Sequence, residues 1–204
     1  MPEKTVQKEP GKKPAPSKKP KPQQEVVVQI PLSELHPFPD HPFQVREDAS
    51  MQETAESVKE YGVLVPALAR PREDGGYELI AGHRRKHACE LAGLATMPVI
   101  VRDIDRDAAT IIMVDSNLQR ENILPSERAK AYKMKMEAIK RQGARTDLTS
   151  PKISAKFRSD DEVGQDAGVS GDTIRNCIAL TQLVPELQQM VDEKKIALSP
   201  AYQL

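Results

Sequence analysis

The chain has 204 residues, and its 30 Lys and Arg are matched by 30 Asp and Glu, so any affinity for nucleic acid must come from local patches rather than overall charge. No apolar run approaches the roughly 18–20 residues that span a bilayer, and no signal-peptide apolar region opens the chain, so a cytoplasmic protein without a membrane partner is expected. With no Trp, three Phe and four Tyr, an aromatic platform for single-stranded bases is not expected.

Residues 1–25 read as a disordered basic arm: the first 24 hold seven Lys and six Pro against two Glu, with Val6 the one sizeable apolar residue. Such an arm either adds salt-sensitive attraction to phosphates or is a solvated tail. Val26–Ile30 is a β-branched run and a predicted strand. The stretch from Ser33 to Asp48, with His36-Pro37 and His41-Pro42, predicts an irregular extended loop. Ser50 with Glu53 predicts a capping box, followed by a helix whose Met51, Ala55 and Val58 share a face and which Gly62 ends as a left-handed cap.

Val63–Arg70 and Tyr77–Ala81 read as a hairpin turning at Glu73–Gly76. A helix then starts at Gly82 or His83, runs to Leu91 and stops at Gly93, and Pro98–Arg102 is a further strand. Asp105 or Asp107 caps a helix ending near Asn117. Pro125 and Ser126 start a long one to about Gln142, with Gly143 beyond its end. Residues 143–159 look like a polar connection. Cys89 and Cys177 fall within predicted helices among apolar neighbours, as buried reduced thiols would.

Two polar strings carry the chemistry. In Ala81-Gly82-His83-Arg84-Arg85 a strand turns through glycine into a helix whose first amides and dipole favour a phosphate. Glycine lets a ligand approach the backbone, and Arg84 and Arg85 offer guanidinium forks that match phosphate oxygens. The second string, Ser116-Asn117-Leu118-Gln119-Arg120, places Gln119 and Arg120 where the arginine closes over a phosphate, with Asn117 as an oxygen donor to hydrated Mg²⁺. His83 and His87 stand at a spacing two metal ligands could use, but no third ligand is evident nearby.

Further on, Gly168 is the turn glycine of a predicted helix-turn-helix at about 160–181, with Gly164 at the close crossing. Val163, Ala167, Val169, Ile174 and Cys177 form its shared apolar face, and Ser170 caps the second helix. Gly171, Asp172, Thr173, Arg175 and Asn176 would then face the major groove. Arg175 suits guanine and Asn176 adenine, while Ser170 and Thr173 touch phosphates. Asp172 must either read a cytosine amino group or point away.

The order and spacing of four motifs resemble the ParB family of chromosome and plasmid partition proteins over residues 26–198. They are His41-Pro42-Phe43-Gln44-Val45-Arg46, Glu60-Tyr61-Gly62-Val63-Leu64-Val65-Pro66, Gly82-His83-Arg84-Arg85, and Asn117-Leu118-Gln119-Arg120-Glu121-Asn122 with Pro125 and Glu127. The resemblance implies an α+β ParB/sulfiredoxin-like domain at 26–122 followed by an all-α helix-turn-helix domain at 123–204. It implies CTP and Mg²⁺ as ligands, held by Gly62, Gly82, His83, Arg84, Arg85, Asn117, Gln119 and Arg120, with Asn117 toward the metal. It further implies a palindromic duplex DNA site, nucleotide-dependent self-association as a clamp, a nucleoid-associated location, and a ParA-like ATPase as a partner for the basic arm.

This sequence departs from the family pattern at three places: His83 and Ser116 replace acidic residues, and Val65 replaces a Gln. A hydroxyl at 116 is a poor metal ligand and no general base at neutral pH, so CTP binding with slow or absent turnover is expected. The alternatives are a sulfiredoxin-like enzyme using a phosphate and a nucleophilic cysteine, and a transcriptional regulator on the same fold without clamp activity. The enzyme's cysteine position is Gly82 here, and Cys89 lies two helical turns away. Such proteins usually continue into a C-terminal dimerisation domain, so a chain stopping at Leu204 is expected to be a fragment lacking it.

Overall fold

The computed structural model describes residues 26–120, 122–147 and 159–201; the basic arm and residues 148–158 of the expected polar connection lie outside them. Five strands form one mixed sheet: β1 (Val27–Pro31), β2 (Leu35–Pro37), β3 (Ala67–Pro71), β4 (Tyr77–Ala81) and β5 (Thr96–Val101), in the order β1-β5-β3-β4-β2. β1 is antiparallel to β5, β3 parallel to β5 and antiparallel to β4, and β2 parallel to β4. The stretch expected to be irregular from Ser33 therefore contains a strand. Leu35–Pro37 pairs with Tyr77–Leu79, a partner too distant in sequence for local pattern to reveal.

Successive residues of a strand face opposite sides, and β4 uses both. Leu79 packs with Met51, Val58, Ala88 and Cys89, from α1 (Ala49–Tyr61) and α2 (His83–Leu91). Ile80 packs on the other side with Phe38, Phe43 and residues of α3 (Arg106–Leu118) and α4 (Pro125–Asp147). The sheet is thus covered on both faces, and apolar packing continues across residue 122 through α3 and α4. Each such fully buried Leu, Ile or Met contributes roughly 1.5–3 kcal/mol.

Several boundaries differ from expectation. Asp48, not Ser50, caps α1, its carboxylate accepting from the Met51 amide at 2.8 Å. Gly62 ends α1 at φ 72 and ψ −169, outside the left-handed helical basin although its φ is positive. Residues 63–66 precede β3 rather than belong to it. α4 passes through Gly143 to Asp147, since a glycine within a helix costs only about 1 kcal/mol against Ala. Gly93 does end α2: its own amide reaches Glu90 O and that of Leu94 reaches Cys89 O.

Beyond α4 stand α5 (Ser159–Ala167), α6 (Gly171–Ala179), α7 (Pro185–Asp192) and α8 (Leu198–Ala201). α5 closes with the same pair of bonds, Gly168 to Gln165 O and Val169 to Gly164 O, with Gly168 at φ 69. A Cβ on Gly164 would lie 2.6 Å from Val169 O, which is why the crossing needs glycine. Val163, Ile174 and Cys177 join Ala129 and Tyr132 of α4 in a separate core. Val169 does not belong to it and is 38% exposed, because the turn carries it outward.

Candidate functional site

β4 passes into α2 through Gly82 at φ 111, with no side chain capping the first amides of the helix. Those orphan donors and the positive end of the dipole form a seat for an anion. A Cβ at position 82 would lie 2.8 Å from Ala67 Cβ on β3, so glycine serves the packing of the turn as well as its angle.

Arg84 and Arg85 are adjacent in α2, about 100° apart around the axis, and go to different walls. Arg84 borders a cleft of about 590 Å³ together with Gln119 and Arg120 from the end of α3, and with Phe43, Arg46, Asp48, Ser50, Thr54 and Glu127. Its Nη2 donates to Ser50 Oγ at 3.3 Å and lies 3.5 Å from Asp48 Oδ1. Arg85 instead donates through Nη1 to Val65 O and Pro66 O, at 2.5 and 2.7 Å. With Gly62 it borders a neighbouring groove, and Thr54 lines both.

The three guanidiniums nonetheless feel one another. Burial and then the charge of Arg84 lower the pKa of Arg120, with Glu127 opposing; burial and then Arg120 lower that of Arg85. Like charges gathered from residues 84, 85 and 120 are a standing repulsion that a phosphate would relieve.

His83 turns away from this cleft. Its ring lies tilted on that of His41, centroids 3.9 Å apart, and the Nε2 atoms of both are buried without a hydrogen-bond partner. Burial above all, then His41, Arg120 and Lys86, push the His83 pKa down to about 3. His41 is lowered too, chiefly by burial, against a bond from Nδ1 to Phe43 O that raises it. His87 has its Nε2 3.2 Å from Glu47 Oε1, and among the described residues no three ligand side chains gather into a metal set.

Asn117 is 4% exposed and is not on the cleft wall; its Nδ2 donates to Met113 O at 2.8 Å. Ser116 is exposed and donates to the same carbonyl at 3.0 Å, while Asp115 is held by Lys135 at 2.7 Å.

Glu127 was not expected among the cleft residues. Its carboxylate accepts from the Gln44 amide at 3.0 Å and the Leu124 amide at 3.2 Å, fastening the 41–46 segment to the start of α4. Pro125 at the first helical position with Glu127 two further on was the readable signal, since an acid there commonly reaches back to the cap amide.

In the α5–α6 pair, Ser170 caps α6 by accepting from the Thr173 amide at 3.2 Å. Ser170, Thr173, Arg175 and Asn176 are all exposed, as is Asp172. Gly171 is not: it is buried against Asp161, whose Oδ1 would lie 2.2 Å from an added Cβ. Asp172 pairs with Arg175, which also pairs with Asp160. Cys89 and Cys177 are free and buried, and burial raises both thiol pKa values, that of Cys177 to about 11.

Comparison with known proteins places these features in context. The model of the ParB N-terminal domain matches residues 16–118. The chromosome-partitioning protein Spo0J of Thermus thermophilus is 36% identical over 171 residues, 83% of this chain and 56% of that protein. This chain spans about half the length of the curated relatives it matches. The crystal structure of C-terminally truncated ParB from Caulobacter crescentus complexed to the centromeric parS site superposes with a TM-score of 0.55 at 26% identity, covering 86% of this chain and 82% of that one. The same truncated protein complexed with CTP-gamma-S gives a TM-score of 0.43 at 28% identity, over 87% and 91% of the two chains.

Proposed function

Because the chain belongs to the ParB N-terminal domain family, we propose that it is a partition protein in which a CTP site beside α2 and α3 governs site-specific binding of duplex DNA by α5 and α6. The observation that carries the nucleotide half is the meeting of Arg84 and Arg120, brought from separate segments to one cleft beside the uncapped start of α2. The triphosphate would take the α2 amides of His83, Arg84 and Arg85, with the Arg84 and Arg120 forks on its oxygens and Gln119 beside them. Arg85 and Gly62 shape the adjoining wall. A cleft of about 590 Å³ falls within the range of small-molecule sites.

Magnesium fits less directly. The amide nitrogen of Asn117 is engaged with Met113 O, Glu127 already accepts two backbone amides, and Asp48 caps α1. The ion is therefore proposed to arrive with the phosphates, and no step is routed through it; Asn117 would contribute only if the end of α3 rearranged.

For DNA, the supports are the exposed row Ser170, Thr173, Arg175 and Asn176 on a capped helix and the parS complex of a relative of the same fold. Closure into a clamp, self-association and a ParA-like partner belong to the same proposal. The enzyme alternative is disfavoured by Gly82 in place of a cysteine and by the buried, raised thiol of Cys89.

Calorimetric titration of the chain with CTP, ATP and GTP, with and without Mg²⁺, tests the nucleotide site. Saturable CTP binding that Arg84→Ala and Arg120→Ala each weaken about tenfold or more is expected, in line with charge-assisted bonds to phosphate. No CTP heat, or equal binding by both variants, would overturn it.

A further inference from the structure

Arg175 is expected to reach DNA from α6, yet in the structure its guanidinium is already occupied. Nη1 donates to Asp160 Oδ2 and Nη2 to Asp172 Oδ1. The two carboxylates stand in different settings. Asp160, in the first turn of α5, is buried, whereas the Asp172 side chain is 78% exposed, one helical turn before Arg175. The trio carries a net charge of −1 on the surface that would meet DNA.

A free guanidinium on such a surface attracts phosphate, and every duplex offers phosphate at every step. A carboxylate bound to that guanidinium cancels the attraction and repels the same phosphates. A base edge is different. In the major groove a G·C pair sets the guanine acceptors O6 and N7, which suit Arg175, beside the cytosine amino group, which suits Asp172.

We propose that Asp172 and Asp160 make Arg175 a specificity determinant rather than a source of general affinity. Asp160 anchors the guanidinium through Nη1, and Asp172 occupies Nη2 until a base edge takes its place. The exposed Asp172 pair is weak and exchanges readily, whereas leaving the buried Asp160 carboxylate unpaired is costly, so the anchor stays. This inference rests on the reading of α6 as the DNA-contacting helix.

The test measures binding of the whole chain by fluorescence anisotropy, to a random-sequence duplex and to the duplex that the unaltered chain selects from a random pool, between about 50 and 200 mM salt. Asp172→Asn should tighten binding to the random duplex by about three- to tenfold and steepen its salt dependence by about one phosphate contact, so that the ratio of selected to random affinity falls. Asp172→Glu should behave as the unaltered chain, because the ion pair survives. Arg175→Ala should weaken the selected duplex, and in that background Asp172→Asn should lose most of its effect. An unchanged random-duplex affinity and salt slope in Asp172→Asn, or the same gain with Arg175 absent, would overturn the inference while leaving DNA binding intact. A chain that selects no duplex overturns the reading of α6, and the inference with it.

Discussion

Acid should weaken this fold through His83, by an amount the structure sets. The folded-state pKa of about 3 lies well below the ordinary 6.5, because the ring is buried against His41 near Arg120. The folded state thus refuses a proton that the unfolded chain accepts. This contribution to stability is complete above pH 6.5, declines as pH falls below it, and is fully lost once pH passes the folded value. Each pH unit between the two values costs about 1.4 kcal/mol, so about 2 kcal/mol is lost by about pH 5. At that pH the ring is still neutral in the folded state, and the loss is set by the protonation of the unfolded chain.

Urea unfolding at about pH 7.5 and about pH 5 checks this, comparing the protein with its His83→Gln variant, which keeps a polar group but does not titrate. The chain that keeps His83 should lose about 2 kcal/mol more than the variant over that interval. His41, which packs on the His83 ring, is replaced by Gln in both chains so that its own proton does not enter the comparison. Parallel losses would refute the argument and mean that the His83 ring takes up a proton in the folded state.

Three further outcomes are expected. Lys135 is 1% exposed between Asp115 and Asp166, 2.7 and 2.8 Å from their oxygens. Removing both carboxylates as Asp115→Ala with Asp166→Ala should cost about 3 kcal/mol or more in chemical unfolding, whereas Lys135→Met should cost less than about 1.5 kcal/mol. Burial alone would lower the Lys135 pKa, but the bonds to the two carboxylates raise it above 10.5; its contribution is full below that value and is lost as pH rises through the folded value, which alkaline unfolding would show. Gly164→Ala gains about 1 kcal/mol in helix propensity but drives a methyl toward Val169 O, so a net loss of about 1–2 kcal/mol and weaker DNA binding are expected by thermal unfolding and anisotropy. CTP turnover should be slow or absent and should rise in Ser116→Glu, measured as released phosphate; brisk turnover in the unaltered chain with no gain in the variant would contradict the role given to Ser116.

What could be read from the sequence depended on whether the deciding contact was local. Gly82 and Gly93 bound α2 because glycine angles and the adjoining amides decide helix ends within a few residues. Ser170 was likewise legible, since a cap reaches only three residues ahead. The strand at Leu35–Pro37 was hidden because its pairing with β4 spans about forty residues of chain. Asp48 and Ser50 are both capping residues two apart; Asp48 took the Met51 amide, while Ser50 became a partner of Arg84. Which of Arg84 and Arg85 faces the cleft follows from the loop at Val65 and Pro66, whose carbonyls hold Arg85. Asp172 and Arg175 stand three apart on one helix, a pairing that spacing allows, but Asp160 gave no sequence sign of its partner, because it meets Arg175 only once α5 and α6 cross.

The most direct measurement is selection of bound sequences from random duplex DNA, carried out with and without CTP. One enriched palindromic motif is expected, with the retained DNA changed by the nucleotide and that change abolished by Arg84→Ala. Pools with no enriched motif, or pools identical whether or not CTP is present, would contradict the account.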